Sequence, residues 1–183
     1  MRLFTAASLT TTLLASSSLG LAIDFLAPLD CLKMKSAAEQ IDTSQLTEDW
    51  MNTVCSKGCQ PKVSDYYSQL RDKFVIPAIT AEATRAGTSE LIPQYTAFAD
   101  SIFELAQTTC GASDQNLCSD DSFNKGLAKC IQANGWSLAL ANIQNTLAFL
   151  SANPCKKQLN YITNPDVLNT YVPSYMQNYA QSC

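Results

Sequence analysis

The chain has 183 residues, with 12 Lys and Arg against 16 Asp and Glu, a formal net charge of −4. Its longest basic run is Lys156-Lys157, so nucleic acid and anionic membrane are excluded as main partners, because both need clustered cations. Histidine is absent, which removes Ser-His-Asp and Cys-His catalysis, imidazole acid–base chemistry and most zinc enzymes.

Residues 1–22 hold one charge, Arg2, followed by the apolar and hydroxylic run LFTAASLTTTLLASSSLGLA, with small residues at Gly20 and Ala22 ahead of Asp24. This layout predicts a secretory signal peptide cleaved near Ala22, leaving a secreted, extracellular chain over residues 23–183. The run is too short and too rich in Ser and Thr for an anchor. No other segment approaches the ~20 apolar residues of a membrane span. The 8 cysteines all lie after it, at Cys31, Cys55, Cys59, Cys110, Cys118, Cys130, Cys155 and Cys183. An even count in an oxidising compartment predicts disulfides, with the connectivity left open.

The elements then follow as helices throughout. Asp30 is placed to cap a first helix over Cys31–Gln40, and Ser44 a second carrying Leu46, Trp50 and Val54 on one face. Gly58 is placed to stop the second helix. Pro61 suits the first turn of a third, with a stripe of Val63, Tyr67, Leu70 and Phe74. Pro77 is expected to kink or end it, and a shorter piece runs to Ala86 and Gly87. Pro93 opens a strongly amphipathic helix. Its Tyr95, Phe98, Ile102, Leu105 and Thr109 share one face, while Asp100 and Glu104 are expected on the solvent side.

Residues 111–121 are the most loop-like of the chain. Asp121 is placed to cap the next helix, which Asn134-Gly135 is expected to terminate. Trp136, Leu140, Ile143, Leu147 and Leu150 form a helix-packing seam that Asn153-Pro154 breaks. Asn164-Pro165-Asp166 starts the tail helix, which ends near Cys183. The expectation is an all-α fold, a single disulfide-stabilised domain of about seven helices.

A histidine-free enzyme has two routes left. Paired carboxylates are available at Glu48-Asp49, Asp100 with Glu104, and Asp120-Asp121, but helix N-termini, a solvent face and a cap account for them structurally. Converging cations, as in the chorismate mutase class, would have to come from Arg71 and Arg85. The spacing Cys55-x3-Cys59 is neither a redox CxxC nor part of a zinc set. The two thiols are therefore expected to bridge to two different distant cysteines, with Cys31 among the candidates, and no metal or cofactor is expected.

The tail NPDVLNTYVPSYMQNYAQSC is the most distinctive segment. Leu168, Tyr171, Tyr175 and Tyr179 fall on one helical face with Val172 and Met176 beside them. This face is either a helix docked on the core and pinned by Cys183 or the wall of a ligand site. The stretch NPCKKQL together with VLNTYVPSYMQNYAQSC resembles the end of elicitins, secreted helical sterol-binding proteins. Separately, Cys31-x23-Cys55-x3-Cys59 resembles the opening of insect odorant-binding proteins. Both resemblances imply helical, disulfide-bonded carriers of apolar ligands.

The sequence thus reads as a secreted, non-enzymatic, cysteine-rich binding protein. Its partner is an extracellular protein, in the manner of an effector or interaction factor, or an apolar small molecule such as a sterol or fatty acid. A small enzyme using carboxylates or cations is the remaining alternative.

Overall fold

The computed structural model of the protein describes residues 28–142, 148 and 150–183. The expected leader, residues 1–22, and Ile143 and Leu147 of the expected seam lie outside the described residues. Among the described residues there are seven α-helices and no strand. They are α1 (Leu29–Glu39), α2 (Thr43–Thr53), α3 (Ile76–Arg85), α4 (Ile92–Thr108), α5 (Asp121–Ala141), α6 (Ala152–Ile162) and α7 (Val172–Ala180). The all-α, disulfide-stabilised architecture is therefore the one expected.

Caps fall close to the expected residues but not on them. Asp42, not Ser44, caps α2, its Oδ1 accepting from the backbone N–H of Ser44 (2.9 Å) and Gln45 (3.3 Å). Asp120 caps α5 in the same way through Ser122, and Asp121 instead meets Lys125 at 2.6 Å. Asp30 lies inside the first turn of α1, whose cap position is Pro28. Asn134-Gly135 does not end α5, which runs on to Ala141. Gly135 keeps an ordinary helical conformation, and the Asn134 amide donates to the Cys130 carbonyl (2.8 Å) instead of turning the chain.

Pro77 changes the winding of its helix without ending it. Residues Tyr66–Val75 form a π-helical segment that passes directly into α3, and the Ile76 N–H bonds the Arg71 carbonyl five residues back. The wider turn takes up the hydrogen bond and the ring clearance that proline cannot provide. The tail repeats the device. Val167–Tyr171 is π-helical, the Val172 N–H bonds the Val167 carbonyl, and Pro173 follows in the first turn of α7.

The helices pack α1 on α6, α2 on α5 and α7, and α4 on α3 and α5. One core cluster joins Val63, Ala106 and Ala112 to Phe103, Leu117, Phe123, Leu127 and Ile131. Among the described residues the largest fully buried side chains are Tyr66, Val54, Thr88, Cys31 and Cys155. Covalent and polar ties carry a correspondingly larger share.

All eight cysteines are paired, as Cys31–Cys155, Cys55–Cys118, Cys59–Cys183 and Cys110–Cys130. Cys55 and Cys59 do bridge to two distant partners, and Cys31 is not one of them. The turn between them is a single 3-10 turn closed by Gly58 in the left-handed conformation (φ 86°), which aims the two thiols apart. The loop at 111–121 is fastened there too. Leu117 N–H donates to the Pro61 carbonyl (2.9 Å) and Ser64 N–H to the Ser113 carbonyl (3.0 Å), beside an isolated antiparallel bridge between Lys62 and Asn116.

Asp100 is not on the solvent face. Its carboxylate accepts from Arg71 Nε (2.8 Å) and Nη2 (3.0 Å) and from the buried Tyr66 hydroxyl (2.7 Å). Tyr66 also stacks on Phe103 with centroids 3.7 Å apart. The Arg71 bonds, with Tyr66 adding to them, hold the Asp100 carboxyl below its ordinary pKa. Burial, reinforced by Asp100, raises the Tyr66 phenol. The expected turn to solvent fails because Arg71, one long side chain away on the π-helical segment, draws the acid inward.

Two predictions follow from this frame. Mapping of the unreduced protein is expected to return Cys55–Cys118 and Cys59–Cys183 peptides, and replacing Cys59 and Cys183 together by Ser should cost about 2–4 kcal/mol in urea melts. A peptide linking Cys55 to Cys59 contradicts the frame. Tyr66→Phe should cost about 1.5–3 kcal/mol at pH 7, and Asp100→Asn more, because it disturbs three bonds. A carboxyl with a lowered folded pKa contributes stability that is present above its unfolded value and lost as pH falls through the folded one. The penalty of Asp100→Asn is therefore expected to shrink as the melts are moved from pH 7 to below about pH 3.

Candidate functional site

The shared face that the sequence gives the amphipathic helix α4 looks into open space on two sides. Tyr95, Phe98 and Ile102, with Gln158 of α6, are walls common to two adjoining apolar cavities of about 270 and 370 Å³. The smaller lobe lies between α3, α4 and α6 and adds Ile79, Glu82, Ala83, Ala86, Thr88, Ala99 and Tyr161. The larger lies between α1, α4, α5 and α6 and adds Met34, Lys35, Ala38, Glu39, Ile131, Gly135, Trp136, Ala139 and Leu150 among others. The space exists because small residues face it. Ala83, Ala86 and Ala99 leave the smaller lobe open, and a Cβ built on Gly135 meets no described atom within 4 Å.

Most polar groups around the lobes are satisfied. The Tyr95 hydroxyl bonds Thr88 Oγ1 (3.2 Å). Gln132 Nε2 reaches the carbonyls of Ala38, Glu39 and Ile41 at 3.0–3.3 Å and so closes the C-terminal end of α1. Lys35 pairs with Glu39 at 2.9 Å, and its ammonium stands 5.8 Å from the Trp136 ring centroid. Three atoms of residues that line the lobes are buried without a partner: Glu82 Oε2 and the Tyr161 hydroxyl beside the smaller lobe, and Trp136 Nε1 beside the larger. The surface that the lobes expose is itself almost wholly apolar.

Glu82 is held from outside by the tail. Its Oε1 accepts from the Tyr175 hydroxyl and from Arg85 Nη1, and Arg85 Nη1 also donates to the Tyr175 oxygen at 3.0 Å. The Arg85 guanidinium lies 4.3 Å from the Tyr171 ring centroid. Burial, then the bond to Glu82, raises the Tyr175 phenol. The Tyr175 bond in turn raises Arg85.

The expected tail residues are distributed over separate surroundings. Tyr171 and Tyr175 meet Arg85 and Glu82. Tyr179 stacks on Trp50 (5.9 Å) and sets its edge against Phe74 (4.9 Å). Met176 joins Leu46, Trp50, Leu127 and Ile131 at a shallow apolar depression, while Leu168 lies with Asp42, Asp49 and Pro173 at a polar one. Val172 is half-buried in the first turn of α7. The tail closes the smaller lobe from behind through Glu82, and none of the six residues is among the described walls of either lobe. A further pocket of about 460 Å³ beside Cys59–Cys183, larger than either lobe and lined by Asp65, Gln69, Lys73 and Ser182 among others, has mainly polar walls.

Glu82, Tyr161 and Trp136 are the polar wall residues that sequence reasoning missed. The one signal available was the alanine-rich run AITAEATRA on α3, in which a single acid sits among residues too small to fill a core.

The carboxylate and cation groupings considered for catalysis are otherwise engaged. Glu48 is exposed, Asp120 caps α5, and Arg71 and Arg85 each hold a different acid. Among the described residues no three His, Cys, Asp or Glu gather as a metal site, and no helix is long and apolar enough to cross a membrane. No family model matches the chain, and no curated protein or solved structure shows detectable similarity to it.

Proposed function

We propose that the protein is a secreted carrier of an apolar small molecule, held in the two-lobed cavity around α4. The observation that carries this reading is an apolar space of ligand size, two adjoining lobes with Tyr95, Phe98, Ile102 and Gln158 as common walls. Pockets for small molecules typically enclose about 300–1,000 Å³ and join apolar walls to a few placed polar groups.

Secretion is consistent with four disulfides, which persist in oxidising surroundings, and with the leader-like residues 1–22. Of the two binding readings open from the sequence, the cavity favours the carrier over an interaction factor. The reaction-free reading also fits the charged residues beside the lobes, which pair with one another as Lys35 with Glu39 and Arg85 with Glu82.

Organic extraction and native mass spectrometry of the secreted protein are expected to show a co-purified apolar molecule. Gly135→Leu should keep the helical circular dichroism and the four disulfides while lowering affinity for an apolar fluorescent probe at least about tenfold, by filling the larger lobe. Unchanged affinity in that variant, or a native protein that takes up no probe, contradicts the carrier reading.

A further inference from the structure

The pocket beside Cys59–Cys183 holds two opposite charges that do not meet. Asp65, Gln69 and Lys73 line it at four-residue intervals along the π-helical segment and its start, and the rings of Phe74 and Tyr179 line it too. Its exposed surface is mainly polar, the reverse of the two lobes around α4, with which it shares no wall residue. Among the described residues neither Asp65 nor Lys73 has an ion-pair partner.

Asp65 gives the sharper signal. It stands at the cap position of the segment Tyr66–Val75, yet its side chain makes no capping bond, although a carboxylate placed there ordinarily accepts from the backbone. The residue is half-buried, and its oxygens are not among the enclosed atoms that lack a partner, so they keep accessible surface. Burial, then the Asp65 charge, raises the Tyr179 phenol. The carboxylate therefore stands near that hydroxyl, and no hydrogen bond joins them. The Phe74 and Tyr179 rings meet at 85° with centroids 4.9 Å apart, an aromatic corner next to an uncommitted acid. Ring faces and a carboxylate are the groups that attract an ammonium.

The opposite charge lies two turns further on. From Asp65 to Lys73 at roughly 1.5 Å per residue, the two backbones stand on the order of 10 Å apart. An extended peptide covers about 3.3–3.6 Å per residue. We propose that this pocket binds a short peptide of about three residues by its two charged ends, the α-ammonium at Asp65 and the α-carboxylate at Lys73. The Gln69 amide, midway between them, both donates and accepts and so suits the peptide backbone. A single amino acid is too short to meet both charges, and a neutral sugar carries neither. The site is separate from the lobes and does not rest on the carrier reading.

The test is calorimetry at low salt and pH 6.5, below the α-amino pKa of about 7.7–8.0, on the disulfide-intact protein. Triglycine is compared with N-acetyltriglycine, triglycinamide and glycine. Triglycine is expected to bind at least about tenfold tighter than N-acetyltriglycine, as hydrogen bonds to a half-buried charge imply. Against triglycinamide the margin is smaller, about threefold, because Lys73 is exposed. Asp65→Asn should bring triglycine down to the level of N-acetyltriglycine, and Lys73→Met to that of triglycinamide. Neither side chain has a partner to lose, so both variants should keep the helical circular dichroism and the uptake of the apolar probe.

N-acetyltriglycine or glycine binding as tightly as triglycine overturns the proposal. So does a preference for triglycine that survives Asp65→Asn, or a protein that binds none of the four. Each of these results leaves the carrier reading where the probe experiment puts it.

Discussion

The turn at Cys55–Cys59 is the constraint on which the remaining structure depends. Two disulfides leave it for different parts of the chain, one to the loop ahead of α5 and one to the last residue. The first holds residues 61–64 against 113–117, where backbone bonds then replace the strand pairing that the fold lacks among its described residues. The second draws α7 onto α2, so that Tyr179 meets Trp50 and Phe74. Only with α7 in that place can Tyr175 reach Glu82, ninety-three residues earlier in the chain. A left-handed glycine between two thiols thus governs a contact on the far side of the bundle. With so few large side chains fully buried, apolar burial alone would hold these elements weakly, and the cross-links supply what the core does not.

Of the two arginines among the described residues, Arg71 pairs with Asp100 and with its neighbour Asp72, and Arg85 pairs with Glu82, and the assignments differ in consequence. Arg71 joins Tyr66 and Asp100 across the π-helical segment and α4, which closes a polar knot beside the core cluster. Arg85 joins Glu82 and Tyr175 across α3 and α7, and its own side chain remains 43% exposed. The first is a completed network, which rigidifies because every member is satisfied. The second is open on its inner side, where one oxygen has no partner. Chemically similar parts are therefore completed in one place and left incomplete in the other.

The helical architecture was legible in the sequence because its signals are local: proline at helix starts, glycine at their ends, and a three-to-four-residue apolar spacing. The separate destinations of Cys55 and Cys59 were legible for the same reason, since Gly58 sits between them. What was not legible depends on partners far along the chain. Asp100 looks solvent-facing by helical periodicity, and only Arg71, twenty-nine residues away, turns it inward. Gly135 looks like a stop, yet α5 continues because the turn signal there is opposed by the helix on either side. Pro77 and Pro173 look like breaks, and a local change of winding absorbs each of them.

The cavity was hidden by the same limit, taken one step further. Tyr95, Phe98 and Ile102 have the spacing of core residues, and periodicity cannot distinguish a face packed on side chains from a face packed on space. The distinction is made by what stands opposite: alanines on α3 and Gly135 on α5. A protein that leaves such space in a small core forfeits dispersion contacts along the whole wall, and its cross-links must hold the empty state together. Under the carrier reading proposed above, a molecule that fills the lobes restores those contacts, so binding and folding stability are linked by mass action. The cross-links then hold the helices around the lobes whether or not they are filled.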